Sequence, residues 1–484
     1  MPVEHLPDVT FAEAQRNADF ARTLLRRLDA VEPANEEEWL TAAIIRSNSE
    51  RAIEDVPLFW YRSPATPYHT PLFAVHNALQ RIPDRTRPLA EMPRFVDDLL
   101  GVLREQERRG IRVPKDEIPA VREMLDGLAT SMSPEIERLR AHFDDAYVAR
   151  APAGVGLSQY PGGAEAYRAF VRQETTTSLT PEAIHEVGLR EIAHIDGELD
   201  AIRHEVGFSG SLADFRTFLK TDARFFATTP EEVGERLMSH VRRIEPHMPR
   251  FFARMPRAPY GVKRLDPEFE AATFGYFQVP TADDPVGRYH FNGSQLSERN
   301  LLPAAALIAH ELIPGHHFQI ARQEENESLP MLRRQAFETA YQEGWGEYAA
   351  YLGTEMGLYA NPYDRAGRLM MDAMLSTRLV VDTGMNALGW PRQRAMDFMR
   401  EHTMLSDTEI ATETLRYAAD IPAQALAYKI GSMKMIELRS LAQRELGPRF
   451  DVRQFHEWII GSGAMPLDLL EEHVRHEIAS AASA

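Results

Sequence analysis

The chain has 484 residues, 44% hydrophobic and 26% charged, a composition that suits a globular protein with a large core and excludes bulk disorder. Lys and Arg total 54 against 72 Asp and Glu, a formal charge of -18, which excludes a general phosphate-backbone binder, so no nucleic-acid partner is expected. Cysteine is absent, which excludes disulfide scaffolds and thiolate metal sites and leaves His, Asp and Glu to hold any metal.

Thr10 with Glu13, and Asn35 with Glu38, have capping-box spacing ahead of runs with helical apolar period, which predicts two N-terminal helices. A Pro-rich stretch from Ser63 to Pro71 breaks the pattern. It resumes over Phe95 to Arg109 and Ile118 to Phe143, with an interruption near Ser133 and Pro134. The glycine-rich APAGVGLSQYPGG at 151–163 marks a boundary between an N-terminal helical region, 1–150, and a second helical region, 151–484. Thr180 as N-cap, Pro181 in the first turn and Gly207 at the far end predict one long helix. Between Pro256 and Asn300 the helical period fails, and ATFGYFQV and GRYHFNG predict a small sheet; beyond Pro303 the pattern is helical again. The N-terminus lacks a basic segment followed by an apolar one, and the longest apolar run, LLPAAALIA at 301–309, is too short to span a bilayer. These features lead us to expect a mainly α fold with a small β-sheet beside the site, a cytoplasmic location and no membrane partner.

The chemistry concentrates in LLPAAALIAHELIPGHHFQ. In the HExxH pattern two His four apart bind a metal from one helix face, and the Glu beside the first activates water. Here Pro314 occupies the fourth position. On an unbroken helix His316 would lie about 120° away from His310, and His317 would share its face but lie about 10 Å further along. Pro314 and Gly315 are therefore expected to open the helix by a bulge, bringing His316 to the second-ligand place. His317 is then left to support a ligand or touch substrate. A third ligand is expected from ETAYQEGWGEYAAYLGTEMG, where Glu343 and Glu347 share a helix face. Glu343 is read as ligand and Glu347 as the carboxylate that orients a ligand His.

HELIPGHHFQ, EGWGEYAAYL, RLVVDTGMNALGW and RYAADIPAQALAYKIG, in this order, resemble the bacterial domain-of-unknown-function family 885, a group read as gluzincin-like metallopeptidases. The likeness covers roughly residues 150 to 484, including TPEAIHEVGLREI and the strand from Tyr289 to Asn292. It implies a large helical metallopeptidase-like fold, with His310, His316 and Glu343 as zinc ligands and Glu311 as general base. The family's RY and YK positions fall on Arg416, Tyr417, Tyr428 and Lys429, which implies donors for a developing oxyanion or for a substrate carboxylate. The sequence departs from the family pattern at Asn386, where the family has His, and at Ala423, where it has Gly.

The expected activity is hydrolysis of an amide or peptide bond in a small substrate, with Glu311, Tyr417 and Tyr428 as catalytic groups and Zn2+ as cofactor. Fe2+ or Mn2+ is the alternative metal, because His and carboxylate ligands accept several divalent ions. Substrate contacts are expected from Tyr289, Asn292, Arg378, Asn386, Arg416 and Lys429, with GRYHFNG read either as an edge strand beside the site or as a plain structural one. Arg378 and Asp382, four apart, are read as an intrahelical ion pair. The partner is a small peptide or amide-bearing molecule, and a homodimer is compatible with the sequence. Two rival readings remain: a biosynthetic enzyme acting on a nonpeptide C–N bond, motivated by Asn386 and Ala423, and a catalytically silent binding protein.

Overall fold

The computed structural model describes residues 5–67, 70–80, 82, 84–267, 270, 275–281 and 284–483. Helices α1 (Phe11–Leu28) and α2 (Glu36–Leu58) pack together, and both begin as their sequences predict: Thr10 Oγ1 accepts from the Glu13 amide and Asn35 Oδ1 from that of Glu38. Helix α3 (Thr86–Arg108) starts nine residues before Phe95, with Pro88 in the first turn, where no intrahelical donor is required. With α4 (Ile118–Ser131) and two short helices up to residue 150 it buries one core, built around Phe95, Leu99, Leu103, Leu125 and Phe143. The larger core belongs to the rest of the chain, but α2 lends it Leu40 and Ile44 and gives Leu58 to a further cluster with Tyr167 and Phe170, so α2 packs with the later helices.

Beyond α5 (Gly163–Thr175), α6 (Pro181–Glu205) is capped by Thr180 and stops before Gly207, whose φ of 72° is the left-handed value that favours glycine at a helix end. It lies along α11 (Pro362–Asn386), with Gly188 removing the side chain that would meet Leu379 Cβ at 2.8 Å. Helix α7 (Pro230–Ile244) leads to the sheet of β1 (Tyr260–Arg264), β2 (Gly275–Gln278) and β3 (Gly287–Phe291), in the order β1-β3-β2. β3 is parallel to β1 and antiparallel to β2, so Tyr289 stands between Val262 and Phe277.

The edge-strand reading of GRYHFNG is therefore corrected: β3 is central, and its near-continuous burial is that of a strand paired on both sides. The third strand, YGVKR, carries too few β-formers to announce itself. Residues 272–274 of ATFGYFQV, and 68 and 69 of the Pro-rich stretch, lie outside the described residues.

Further helices include α8 (Ala304–Glu311), α9 (His316–Glu324), α10 (Thr339–Leu352), α12 (Asp407–Leu415), α13 (Ala427–Leu446), α14 (Val452–Ile460) and α15 (Leu467–Ser483). The chain is thus mainly α-helical with one small sheet. Among the described residues no helix is long and apolar enough to cross a membrane.

Helices α10 and α13 form the centre of the larger core and touch backbone to backbone. A Cβ on Gly431 would lie 2.0 Å from the Ala340 carbonyl oxygen, and one on Gly344 would lie 2.6 Å from Gly431. Gly127, exposed inside α4, has nothing within 4 Å of its Cβ position. The same substitution should therefore act with opposite signs at the two places. In urea denaturation Gly431→Ala should destabilise by at least about 2 kcal/mol, and Gly127→Ala should stabilise by about 0.5–1 kcal/mol. Equal effects would contradict the close packing of α10 on α13.

Candidate metal centre

Helix α8 is a run of small and apolar side chains, AAALIA, buried before it delivers His310 and Glu311. The chain leaves helical geometry at Leu312 (φ -106°, ψ -94°), passes a cis Ile313–Pro314 peptide and Gly315, and begins α9 at His316. The expected bulge is thus a complete break into two helices. Gly315 permits it: a Cβ there would sit 1.8 Å from the His310 carbonyl oxygen, so the returning chain packs directly on α8. The Phe318 amide bonds the Leu312 carbonyl across the break at 3.2 Å, and Trp345 Nε1 donates to the Pro314 carbonyl at 2.8 Å. The fold-back sets the rings of His310 and His316 4.5 Å apart and nearly perpendicular.

The segment EGWGE of α10 meets this break residue by residue. Glu343 Oε2 lies 3.5 Å from His310 Nε2 and 3.3 Å from His316 Nε2. Gly344 admits α13, Trp345 holds the Pro314 carbonyl, and Gly346 leaves a slot for the imidazole of His310, whose atoms a Cβ would meet at 2.7–2.9 Å. Glu347 Oε1 lies 2.8 Å from His310 Nδ1 and is buried. With the Nδ1 proton directed at Glu347, the Nε2 lone pair of His310 faces Glu343 and His316.

The three candidate ligand atoms, on His310, His316 and Glu343, lie within 4.8 Å of one another. Tetrahedral bonds of about 2.0–2.1 Å separate ligands by roughly 3.3 Å, close to the 3.3 and 3.5 Å found here. Electrostatics point the same way. Burial alone disfavours charge on His310, yet hydrogen bonds to Glu343 and Glu347 push its pKa up to about 10, so the pocket favours a cation. Burial works equally against an ionised Glu343, but the two imidazoles hold its carboxyl far below the usual range. Two nitrogens and one carboxylate oxygen in a half-buried, negatively charged pocket suit a divalent ion such as zinc.

Around this set stand Glu311, half-buried, its pKa raised first by burial, and Tyr289 of β3, whose hydroxyl is pushed up by burial and by the neighbouring Glu311 carboxylate. Phe277 of β2 lies 6.4 Å from the ring of His316. Tyr428 of α13 stacks 6.4 Å from the ring of His310, and the Arg378 guanidinium carbon lies 4.9 Å over the other ring's centroid, that of Tyr428.

Several expected site residues are placed elsewhere. His317 is buried with Nε2 3.1 Å from the Ala258 carbonyl, filling the space left by Gly287, so it ties α9 to the sheet and not to a ligand or an open cleft. Asn292 bonds the Glu270 carbonyl at 2.5 Å and accepts from Ser294, which makes it a turn-forming residue. Lys429, one residue from Tyr428, points to another side of α13, where its ammonium meets Asp372 at 2.6 Å and Glu191 at 2.8 Å. Tyr417 is buried in a single π-helical turn, Arg416–Asp420, with its hydroxyl engaged by Arg378 at 2.8 Å and by Glu413.

The expected Arg378 to Asp382 pair does not form. Arg378 reaches Glu413 at 2.9 Å, while Asp382 accepts from the Tyr167 hydroxyl at 2.7 Å, the Ala423 amide at 3.1 Å and Asn386 Nδ2 at 3.1 Å. Asn386 also accepts from the Leu157 amide at 2.9 Å and donates to the Tyr417 carbonyl at 3.0 Å, fully buried, so it is a core tie and not a cleft residue. Ala423 holds a φ of 73° in the same knot. Burial pushes the Asp382 carboxyl up to about 7, against the hydrogen bonds it accepts.

Four contributors escaped the sequence reading. Arg368, 3.3 Å from Glu347 Oε2, sits in RLMMD, which carries no motif. Phe277 and Glu413 likewise carry no local signal. Gly346 carried one, since glycine between two functional Glu in a helix marks a close approach.

Protein purified without added metal should contain close to one divalent ion per chain by elemental mass spectrometry. His316→Ala should lose it and His317→Ala should keep it, and Glu347→Ala should weaken its binding about 10- to 100-fold. Loss with His317→Ala alone would overturn the ligand assignment.

The fold is shared with two solved structures. One, described as "the putative lipoprotein from Colwellia psychrerythraea", superimposes with a TM-score of 0.88 at 22% identity, over 96% of this chain and 90% of that one. Another, a "putative lipoprotein of unknown function from Shewanella oneidensis", gives a TM-score of 0.75 at 15% identity, over 98% and 94%. At these identities the likeness is one of fold. No curated protein matches the chain. The family profile described as bacterial protein of unknown function matches residues 116–474, and the chain belongs to that family, DUF885.

Proposed function

We propose that the chain is a metal-dependent hydrolase, zinc being the first choice of metal, that cleaves an amide bond in a small peptide or another small amide, with gluzincin-like use of its site residues. The observation that carries this reading is the close set of His310, buried, with His316 and Glu343, partly exposed, and Glu311 adjacent in sequence to the first of them. A divalent ion held there supplies Lewis acidity and makes water a nucleophile near neutral pH. Glu311 takes the proton that the attacking water loses and returns it to the leaving nitrogen. Its raised pKa suits a group that must both accept and release a proton. Tyr428, half-buried beside His310, donates to the substrate oxygen as that oxygen gains charge, while Tyr417 keeps the neighbouring Arg378 in place. Glu347 and Arg368 fix the ring of His310 from behind.

Phe277 and Tyr289, opposite one another on β2 and β3, form an apolar wall that limits water around the proton transfer. Pairing of an extended substrate with the sheet, expected of β3, is left to an edge strand, and β2 is the edge that carries Phe277 beside His316. The nonpeptide alternative took its motive from Asn386 and Ala423. Both belong to the buried knot around Asp382, which favours the amide reading. The cytoplasmic location rests on the sequence, whereas the lipoprotein names of the two solved neighbours point to the cell envelope, and fractionation of cells that make the native protein separates the two.

Glu311→Gln should retain its metal and fold, yet lose turnover of a library of dipeptides and N-acyl amino acids by at least about a hundredfold. Undiminished turnover in a metal-loaded Glu311→Gln protein would contradict the role given to Glu311.

A further inference from the structure

One ring away from the ligand set stands a group of charges that the hydrolysis itself does not employ. Glu413 of α12 bonds two guanidiniums, Arg378 at 2.9 Å and Arg416 at 3.1 Å. Arg416 also donates to Gln424 at 2.8 Å, and Arg378 donates through Nε to Tyr417. Two cations on one anion leave this trio with a net charge of +1. Burial opposes ionisation of Glu413, but the two arginines hold its carboxyl at about 2, so it stays an anion beside them. Tyr428 joins the trio to the ligand set, its ring 4.9 Å from the Arg378 guanidinium carbon and 6.4 Å from the ring of His310. Arg416, Gln424, Tyr428, Glu343 and His316 are all partly exposed, whereas Arg378 is buried behind them.

We propose that Arg378 and Arg416 form an anion subsite that receives a free carboxylate at the end of the substrate, making N-acyl amino acids and peptides cleaved next to their C-terminus the preferred substrate class. The inference rests on the hydrolase reading above and narrows it. The separations agree with it. By the distances through Tyr428, the Arg378 guanidinium carbon lies at most about 11 Å from the ring centre of His310, and Arg416 shares Glu413 with it. One extended residue spans about 3.5 Å, and a ligand bond of about 2 Å at one end and a charged hydrogen bond of about 2.8 Å at the other bring the reach to roughly 8–9 Å. A substrate with one residue, or at most two, beyond the scissile carbonyl bridges that gap. A guanidinium pair matches a carboxylate by parallel N–H donors, which a terminal amide cannot engage with the same charge.

The test uses the full-length Glu311→Gln protein, in which binding is read without turnover. Isothermal titration would compare N-acetyl-Ala-Ala, N-acetyl-Leu-Phe and N-acetyl-Phe-Leu, each as free acid and as C-terminal amide. The proposal expects at least one acid to bind ten or more times more tightly than its amide. Arg416→Gln, added to Glu311→Gln, should bring the pair within twofold, and Glu413→Gln, which removes the competing anion, should widen the preference. Equal binding of every pair, no binding of any acid, or a preference untouched by Arg416→Gln would overturn it. A protein that binds the acids selectively but never hydrolyses them would fail the hydrolase reading and keep the subsite.

Discussion

The site depends above all on how closely α8 approaches α10. The imidazole of His310 fills a slot that exists because residue 346 has no side chain, and the carboxylate of Glu347, one residue further on, meets its Nδ1. Any residue but glycine at 346 would drive its Cβ into the ring, and any residue but glycine at 315 would drive its Cβ into the carbonyl of His310. These two contacts set the direction of the Nε2 lone pair of His310 and the return path of the chain to His316. Glu343, one turn before Glu347 on the same helix, then completes the set without further adjustment. A ligand set of this kind is held by packing, and packing is stiff in a close-packed interior.

Behind the candidate ligands runs a line of buried and half-buried charges that alternate in sign. Glu347 faces Arg368, Arg368 lies beside Asp372, and Asp372 meets Lys429, which also holds Glu191. Each of these groups would be expensive to bury alone, and each is offset by its neighbours, with Glu191 reaching toward the surface on α6. The arrangement keeps Glu347 ionised against burial, with Arg368 the strongest favourable influence. Helices α6, α10, α11 and α13 are thereby joined through one carboxylate to one ring nitrogen of His310. The trio of Glu413, Arg378 and Arg416 lies apart from this line, against Tyr428, with Arg378 buried and Arg416 partly exposed.

Much of this could be read in advance from local chemistry. Caps at Thr10, Asn35 and Thr180, a stop at Gly207 and helical periods over most of the chain announce the helices, because each signal acts within one turn of the residue that carries it. The order HELIPGHH then EGWGE draws attention to His310, His316, Glu343 and Glu347, which the fold brings together. What the sequence conceals is pairing between distant elements. Spacing suggests that Arg378 should meet Asp382, yet partners 35 and 215 residues away, Glu413 and Tyr167, are better placed. Lys429 and Tyr428 look alike in a motif but lie about 100° apart around a helix, so one faces the ligands and the other a buried acid. The central place of β3 needs a partner, YGVKR, that has almost no strand character of its own.

The proposed chemistry requires one divalent ion between His310, His316 and Glu343. X-ray absorption at the metal edge, combined with anomalous diffraction from a crystal of the protein as purified, addresses it most directly. The expected result is a single strong anomalous peak in contact with His310 Nε2, His316 Nε2 and the Glu343 carboxylate, with two nitrogen ligands at about 2.0–2.1 Å. A peak instead at the surface group of Glu36, His476 and Glu477, whose ligand atoms also lie within 4.8 Å of one another, or no peak at either place, would contradict it.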